Sequence, residues 1–90
     1  MKKVDEIRYS KDARNFIKKA HPKTKAAIKK AIEVLRMYPP EDGDIKPLKG
    51  YKDGRMRYRI GKYRIIFRYE NGELLVLSII DIGARGDIYK

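Results

Sequence analysis

Alternating polar and apolar side chains mark two adjacent strands in the second half of the chain. The runs RMRYRI and YRIIFRYE both alternate basic or polar residues with apolar ones, which is the period of a strand with one buried face. Gly61-Lys62 stands between them, and glycine at the first central position favours a two-residue type II′ turn. The pattern predicts a β-hairpin in which Ile60 lies opposite Tyr63.

This register sorts the hairpin side chains onto two faces. The apolar face is expected to carry Met56, Tyr58, Ile65 and Phe67. The opposite face is expected to carry five arginines: Arg55, Arg57, Arg59, Arg64 and Arg68. Like charges at opposed positions destabilise a sheet by up to about 1 kcal/mol per pair. A face that tolerates this repulsion is therefore a candidate anion-binding surface.

The part of the chain before the hairpin has apolar residues at helical spacing. After a short predicted strand, Val4–Tyr9, apolar residues recur at helical spacing and predict a helix over 11–20 with Ser10 as its N-cap. Pro22 suits the first turn of a second helix, whose apolar stripe runs to Tyr38 before two prolines end it. Each stripe is too narrow to bury the other fully, so both helices are expected to lie on a sheet.

A third strand is predicted after Asn71-Gly72, a pair typical of type I′ turns. Residues 74–82 are apolar at nearly every position, which favours a central strand covered on both faces. The register of a two-residue turn places Leu75, Leu77 and Ile79 beside the arginines. The expected fold is α+β: an N-terminal strand, a helical hairpin and a three-stranded antiparallel meander, with the helices packed on one face of the sheet.

Composition narrows the chemistry. The length of 90 residues fits one domain, residues 1–90. With no cysteine and a single histidine, disulfide frameworks and the usual zinc sites are excluded, so no metal and no cofactor is expected. No apolar run approaches the roughly 18 residues of a membrane span, and no signal peptide precedes the first strand. We therefore expect a cytoplasmic protein without a membrane partner.

Charge points to the class of partner. The net charge of +11 attracts polyanions, of which nucleic acid is the commonest. The alternative for the helical lysines is a solvated surface of the kind that thermophilic proteins carry.

The order of elements and three short motifs resemble the RelE/ParE toxin superfamily, and in particular its RelE-type branch. The motifs are Leu48-Lys49-Gly50, Tyr63-Arg64 and the segment 83–89, GARGDIY. The resemblance implies the toxin of a type II toxin–antitoxin system. Such a toxin is a metal-independent endoribonuclease that cleaves mRNA in the ribosomal A site and so inhibits translation. It also implies that the partners are a RelB-like antitoxin, the ribosome and mRNA, with no small-molecule ligand.

The same resemblance implies which residues act. Arg64, Arg85 and Tyr89 match catalytic positions, and Arg55 and Arg57 match substrate-binding ones, to which the shared face adds Arg59 and Arg68. Guanidinium groups suit stabilisation of a phosphate that gains charge in the transition state, but they are poor proton carriers. Tyr89 is the candidate proton carrier or base-stacking group.

Two departures keep other functions open. Many relatives have Lys or His where this chain has Ala84, and a second Arg where it has Gly86. One alternative is a ParE-like toxin that inhibits DNA gyrase without nuclease activity. The other is a degenerate member that binds only antitoxin or RNA, for which Leu75, Leu77 and Ile79 beside the arginines would form a groove for a partner.

Overall fold

Two helices cover one face of a five-stranded sheet in the structure, a computed structural model that describes residues 2–84. The helices are α1 (Lys11–Lys19) and α2 (Pro22–Leu35). The strands are β1 (Lys2–Lys3), β2 (Glu6–Tyr9), β3 (Met37–Tyr38), β4 (Ile45–Pro47), β5 (Met56–Ile60), β6 (Tyr63–Asn71) and β7 (Leu75–Ala84). The predicted roles of Arg85, Gly86 and Tyr89 concern residues outside this described range.

The main sheet has the strand order β2-β7-β6-β5-β4. Strand β2 runs parallel to β7, and the other neighbours are antiparallel. The α+β fold with a meander and helices on one face is thus confirmed. The predicted N-terminal strand, Val4–Tyr9, is shortened to β2, which joins the main sheet. Strand β1 precedes the predicted strand and pairs with β3 in a separate two-stranded sheet.

Local capping explains where the helices begin. The Ser10 hydroxyl oxygen accepts a hydrogen bond from the Ala13 amide at 3.0 Å, as an N-cap does. Pro22 occupies the first turn of α2, where its missing amide proton costs nothing. Helix α2 ends at Leu35 rather than at Tyr38. The difference arises because Met37–Tyr38 extends to pair with the start of the chain, a long-range contact that helical periodicity does not reveal.

The hairpin forms in the predicted register. Ile60 lies opposite Tyr63 and Arg59 opposite Arg64. Gly61 has a φ of +58°, while no non-glycine residue within 2–84 has a positive φ, as a type II′ turn requires. The predicted apolar face packs toward the helices, where Phe67 is completely buried.

The second turn differs from its prediction. Asn71 pairs with Leu75, so three residues rather than two connect β6 to β7. A type I′ turn needs a positive φ at both central residues, and neither Asn71 nor Gly72 has one. Glu70 therefore lies opposite Val76 rather than Glu73, a shift of three residues, and an odd shift reverses the faces of the side chains from Leu75 to Ile79.

As a consequence, the expected position of Leu75, Leu77 and Ile79 beside the arginines is wrong. These residues lie opposite Asn71, Tyr69 and Phe67. They are at most 2% exposed and belong to the hydrophobic core beneath the helices. The partner groove that the sequence indicated on the arginine face is therefore not formed by them.

A β-bulge restores the alignment at the other end of β7. Ile66 lies opposite Asp81 but Phe67 lies opposite Ile79, which leaves Ile80 as the extra residue. Beyond the bulge Ile82 returns to the core at 3% exposure. The shift brings Gly83 opposite Arg64 on the open face of the sheet.

The observed register can be tested by substituting two leucines that differ in burial, Leu77 and Leu74. Leu77→Ala removes a completely buried side chain and should lower the free energy of unfolding by about 2–5 kcal/mol. Leu74 is 50% exposed in the preceding loop, so Leu74→Ala should change it by less than about 0.5 kcal/mol. Urea unfolding followed by circular dichroism measures both. Equal, small effects would show that Leu77 does not face the core.

Candidate functional site

The face of the sheet opposite the helices is strongly basic. Arg57 and Arg59 on β5 alternate with the buried Tyr58, and Arg64 and Arg68 on β6 alternate with the buried Ile65 and Phe67. Because side chains alternate along a strand, these four arginines share one face, as the hairpin register predicted.

Two of these arginines converge on a concave surface that we call the basic groove. The groove has a volume of about 360 Å³ and is lined by Lys46, Pro47, Leu48, Lys49, Arg57 and Arg64. Strand β4 forms one wall, since it pairs antiparallel with β5 and places Lys46 opposite Arg57. Four cationic side chains therefore line one groove, an arrangement suited to a phosphodiester backbone.

Arg64 is the most constrained cation of this groove. Its residue is only 8% exposed, which is unusual for an arginine. The position opposite it across the β6–β7 ladder is Gly83, which adds no side chain beside it. A guanidinium fixed in this way loses little conformational entropy when it binds an anion, and its planar set of donors matches two phosphate oxygens.

Lys46 and Lys49 were not identified as site residues from the sequence. They lie in the segment 41–54, which is rich in glycine and contains a proline, and their position depends on β4 pairing with β5. One signal was available, because Lys49 belongs to the motif Leu48-Lys49-Gly50. Lys49 lines the same groove as Arg64, so this motif lies at the candidate site.

An anchored turn holds β4 in place. The Tyr58 hydroxyl donates to the Asp42 carboxylate at 2.7 Å, and the Asp44 amide donates to the same carboxylate at 2.9 Å. The amide of Ile45, the first residue of β4, donates to the Asp42 carbonyl at 3.1 Å. Burial and the Asp42 bond raise the pKa of Tyr58 to about 12, so the phenol keeps its proton and the anchor persists at neutral pH.

Arg55 and Arg68 have acidic partners, whereas Arg59 is exposed on β5. Arg68 contacts the Glu70 carboxylate at 3.2 Å. Arg55 precedes β5 and is not among the residues that line the basic groove. Its guanidinium donates to both carboxylate oxygens of Asp53, with a shortest distance of 2.7 Å. The predicted arginine face is therefore divided into a groove and a flank in which charges are paired.

The flank also contains an exposed aromatic ring. The guanidinium carbon of Arg55 lies 4.1 Å from the centroid of the Tyr51 ring, a cation–π distance. Hydrogen bonding from Arg55 lowers the pKa of Asp53 to about 2, and the same bond raises the pKa of Arg55. Both groups stay ionised near neutral pH.

Other kinds of site find no support within the described residues. Across positions 2–84, no group of three or more His, Cys, Asp or Glu side chains is placed to hold a metal ion. His21 is exposed at the N-cap of α2, where its ring nitrogen accepts from the Lys23 amide at 3.3 Å. None of the helices in this range is both long and apolar enough to cross a bilayer.

Comparison by sequence gives one family. A family model described as the ParE toxin of the type II toxin–antitoxin system parDE matches residues 7–89. No curated protein matches the chain.

Comparison by structure gives toxins of the same superfamily. The RelBE2 toxin–antitoxin complex of Mycobacterium tuberculosis has a chain with a TM-score of 0.73 and 26% identity, covering 93% of this chain and 100% of that one. The YoeB/ParE toxin of Agrobacterium tumefaciens gives 0.75 and 18%, covering 89% and 98%. The archaeal RelE–RelB complex of Pyrococcus horikoshii gives 0.71 and 22%, covering 91% and 96%. At identities of this level the last two comparisons concern the fold.

The Asp53–Arg55 ion pair on the flank should make its contribution to the stability of the fold depend on pH. Because the pKa of Asp53 in the folded state is lowered to about 2 from an ordinary value near 3.9, the pair stabilises the fold above about pH 4. That contribution disappears as the pH falls toward about 2. In NMR titrations of the Asp53 carboxyl carbon, Arg55→Gln should move the midpoint upward toward the ordinary value. Arg68→Gln, which removes a more distant charge, should move it much less. An unchanged midpoint in Arg55→Gln would contradict the pairing.

Proposed function

The chain belongs to the ParE toxin family of type II toxin–antitoxin systems, within the RelE/ParE superfamily, and on this premise we propose that it is a ribosome-dependent endoribonuclease. In this proposal it cleaves mRNA in the ribosomal A site and thereby stops translation in the cytoplasm. The observation that carries the proposal is the basic groove, in which Arg57 and the nearly buried Arg64 line a single concave surface with Lys46 and Lys49.

The reaction that suits this groove uses the RNA's own hydroxyl. The 2′-oxygen forms a bond to phosphorus while the bond from phosphorus to the 5′-oxygen breaks, leaving a 2′,3′-cyclic phosphate and a 5′-hydroxyl. A base takes the proton from the 2′-hydroxyl and an acid gives one to the leaving oxygen. Negative charge grows on the non-bridging oxygens in between, where fixed cationic donors stabilise the transition state more than the ground state.

Each residue then has a proposed role. Arg64 stabilises the charged phosphorane, since its position is fixed by burial. Arg57, Lys46 and Lys49 hold the neighbouring backbone phosphates in the groove. The exposed Arg59 extends the positive face alongside it, and Arg68, paired with Glu70, contacts the RNA at the flank. The described chain ends at Ala84, opposite Tyr63 and one pair beyond Arg64. We assign Arg85, which follows, to the same phosphate.

The proton carrier is proposed to be Tyr89. A phenol has an ordinary pKa near 10, and a phenol that lies beside guanidinium groups is more readily ionised. The arginines of the groove are unsuitable because they stay protonated at all relevant pH values.

A RelB-like antitoxin is the proposed protein partner. Two of the similar structures are described as RelB–RelE or RelBE2 complexes, and an acidic antitoxin segment would neutralise the net charge of +11 where it is concentrated. Such a segment would compete with RNA for the same cations.

Inhibition of DNA gyrase without RNA cleavage is the second candidate. It is favoured by the family model, which describes ParE toxins, and by a similar structure described as a YoeB/ParE toxin. The convergence of four cationic side chains on one groove favours the nuclease, because a gyrase inhibitor needs no pocket for a scissile phosphate.

The decisive experiment is translation with purified ribosomes and a defined mRNA, followed by mapping of the new 3′ ends. We expect cleavage within the codon in the A site, with 2′,3′-cyclic phosphate ends. Intact mRNA together with gyrase-dependent breaks in DNA would support the second candidate and reject the first.

Arg64 should dominate the rate in that assay. Removing one preorganised donor to a developing oxyanion typically costs about 10²–10³ in rate, so Arg64→Ala should slow cleavage at least about a hundredfold. Arg64→Lys, which keeps the charge but loses the planar donors, should fall between it and the wild type.

A matched control is Arg14→Ala, since Arg14 is exposed on α1 away from the groove. It should cleave at nearly the wild-type rate. Circular dichroism checks that each variant is folded. Equal activity of folded Arg64→Ala and Arg14→Ala would remove Arg64 from the mechanism.

Tyr89→Phe separates proton transfer from stacking. If the hydroxyl carries a proton, the variant should lose activity by a smaller factor than Arg64→Ala, and the dependence of the rate on pH should change. A lower rate with the same pH profile would leave the ring, not the hydroxyl, as the functional part.

A further inference from the structure

The loop between β4 and β5 presents an aromatic ring beside the basic groove. Tyr51 is 50% exposed, which makes it one of the most exposed large apolar residues in the described chain. It follows Lys49, a lining residue of the groove, by two positions. Two residues span at most about 7 Å, so the ring is attached close to the rim of the groove.

The loop is built to hold this ring in place. The Leu48 amide donates to the Arg55 carbonyl at 3.2 Å, which closes the base of the loop. Gly50 and Gly54 have φ values of +90° and +78°, a backbone conformation that glycine adopts without strain. The turns of the loop therefore lie on both sides of Tyr51 rather than at it.

Asp53 fixes the cation that covers the ring. The Arg55 backbone amide and its guanidinium both donate to the Asp53 carboxylate, at 3.2 Å and down to 2.7 Å. The guanidinium carbon then lies 4.1 Å from the Tyr51 ring centroid. The negative charge of Asp53 is compensated inside the loop, so it does not repel an approaching polyanion as an isolated carboxylate would.

We propose that Tyr51 and Arg55 form a stacking platform for a nucleobase of single-stranded RNA whose backbone lies in the basic groove. The proposal deepens the function proposed above and rests on it. Bases stack on exposed aromatic rings and on arginine planes. A platform of this kind holds the strand through a base while the groove holds it through phosphates.

Salt dependence distinguishes the two kinds of contact. A cation that neutralises a phosphate on a single strand contributes about 0.7 to the slope of log affinity against log salt. Stacking has no such term. Removing the Tyr51 ring should therefore lower the affinity at every salt concentration without changing the slope. Removing a groove lysine should lower both the affinity and the steepness of the slope.

The test measures binding of a short, fluorescein-labelled 2′-O-methyl oligoadenylate by anisotropy at several salt concentrations. The methylated strand cannot be cleaved by the mechanism proposed here. Tyr51→Leu should weaken binding about tenfold with an unchanged slope, and Tyr51→Phe should restore the wild-type affinity. Lys49→Gln should reduce the slope. An abasic strand should bind the wild type and Tyr51→Leu equally.

The possible results distinguish failure of the stacking platform from failure of the proposed nuclease function. Equal binding of the base-containing strand by folded Tyr51→Leu and wild type overturns the platform, as does wild-type protein that cleaves mRNA on ribosomes but does not bind this strand. Failure of both binding and ribosomal cleavage overturns the platform and the proposed function together. A loss in Tyr51→Leu that Tyr51→Phe does not restore also counts against stacking.

Discussion

The alternation of side chains across the β5–β6–β7 meander is the constraint on which the rest of the structure depends. Because each strand turns successive side chains to opposite faces, one set of residues builds the core under the helices and the next set builds a basic surface. A slip of one residue would place Arg64 in the core and Phe67 in solvent. The burial of Phe67 thus fixes the position of Arg64, and stability and function depend on the same register.

Local signals were sufficient where the chain folds locally. The Gly61 turn and the helix cap at Ser10 need only a few neighbouring residues, and both formed as predicted. The second turn was predicted wrongly, since β7 also contains a bulge at Ile80 and pairs in parallel with β2, and the turn sequence encodes neither feature. The contacts of β2 with β7 join residues about seventy positions apart, such as Glu6 and Val76, and so does the bond of Ser10 to the Ile80 carbonyl. No pattern within a short window contains them.

For the candidate site, too, the features set by local sequence were predictable and those set by distant strand pairing were not. The shared face of the arginines followed from one turn, but the groove required β4, whose pairing with β5 places Lys46 opposite Arg57. The Asp42–Tyr58 hydrogen bond, which connects that edge to the core side of β5, joins residues sixteen positions apart. The two arginines of the groove were therefore readable from the sequence, whereas Lys46 and Lys49, which complete it, were not.

Charge pairing shapes the surface as much as charge itself. Asp53 and Glu70 form ion pairs with Arg55 and Arg68 at the flank, which reduces repulsion between the arginines of this face. The positive potential is thereby concentrated around Lys46, Lys49, Arg57 and Arg64, the residues that line the groove. Since a groove focuses the field of the charges on its walls, an anion is attracted to this position rather than to the face as a whole. Because a fold does not by itself determine a function, changing these few side chains would give the same sheet a different surface.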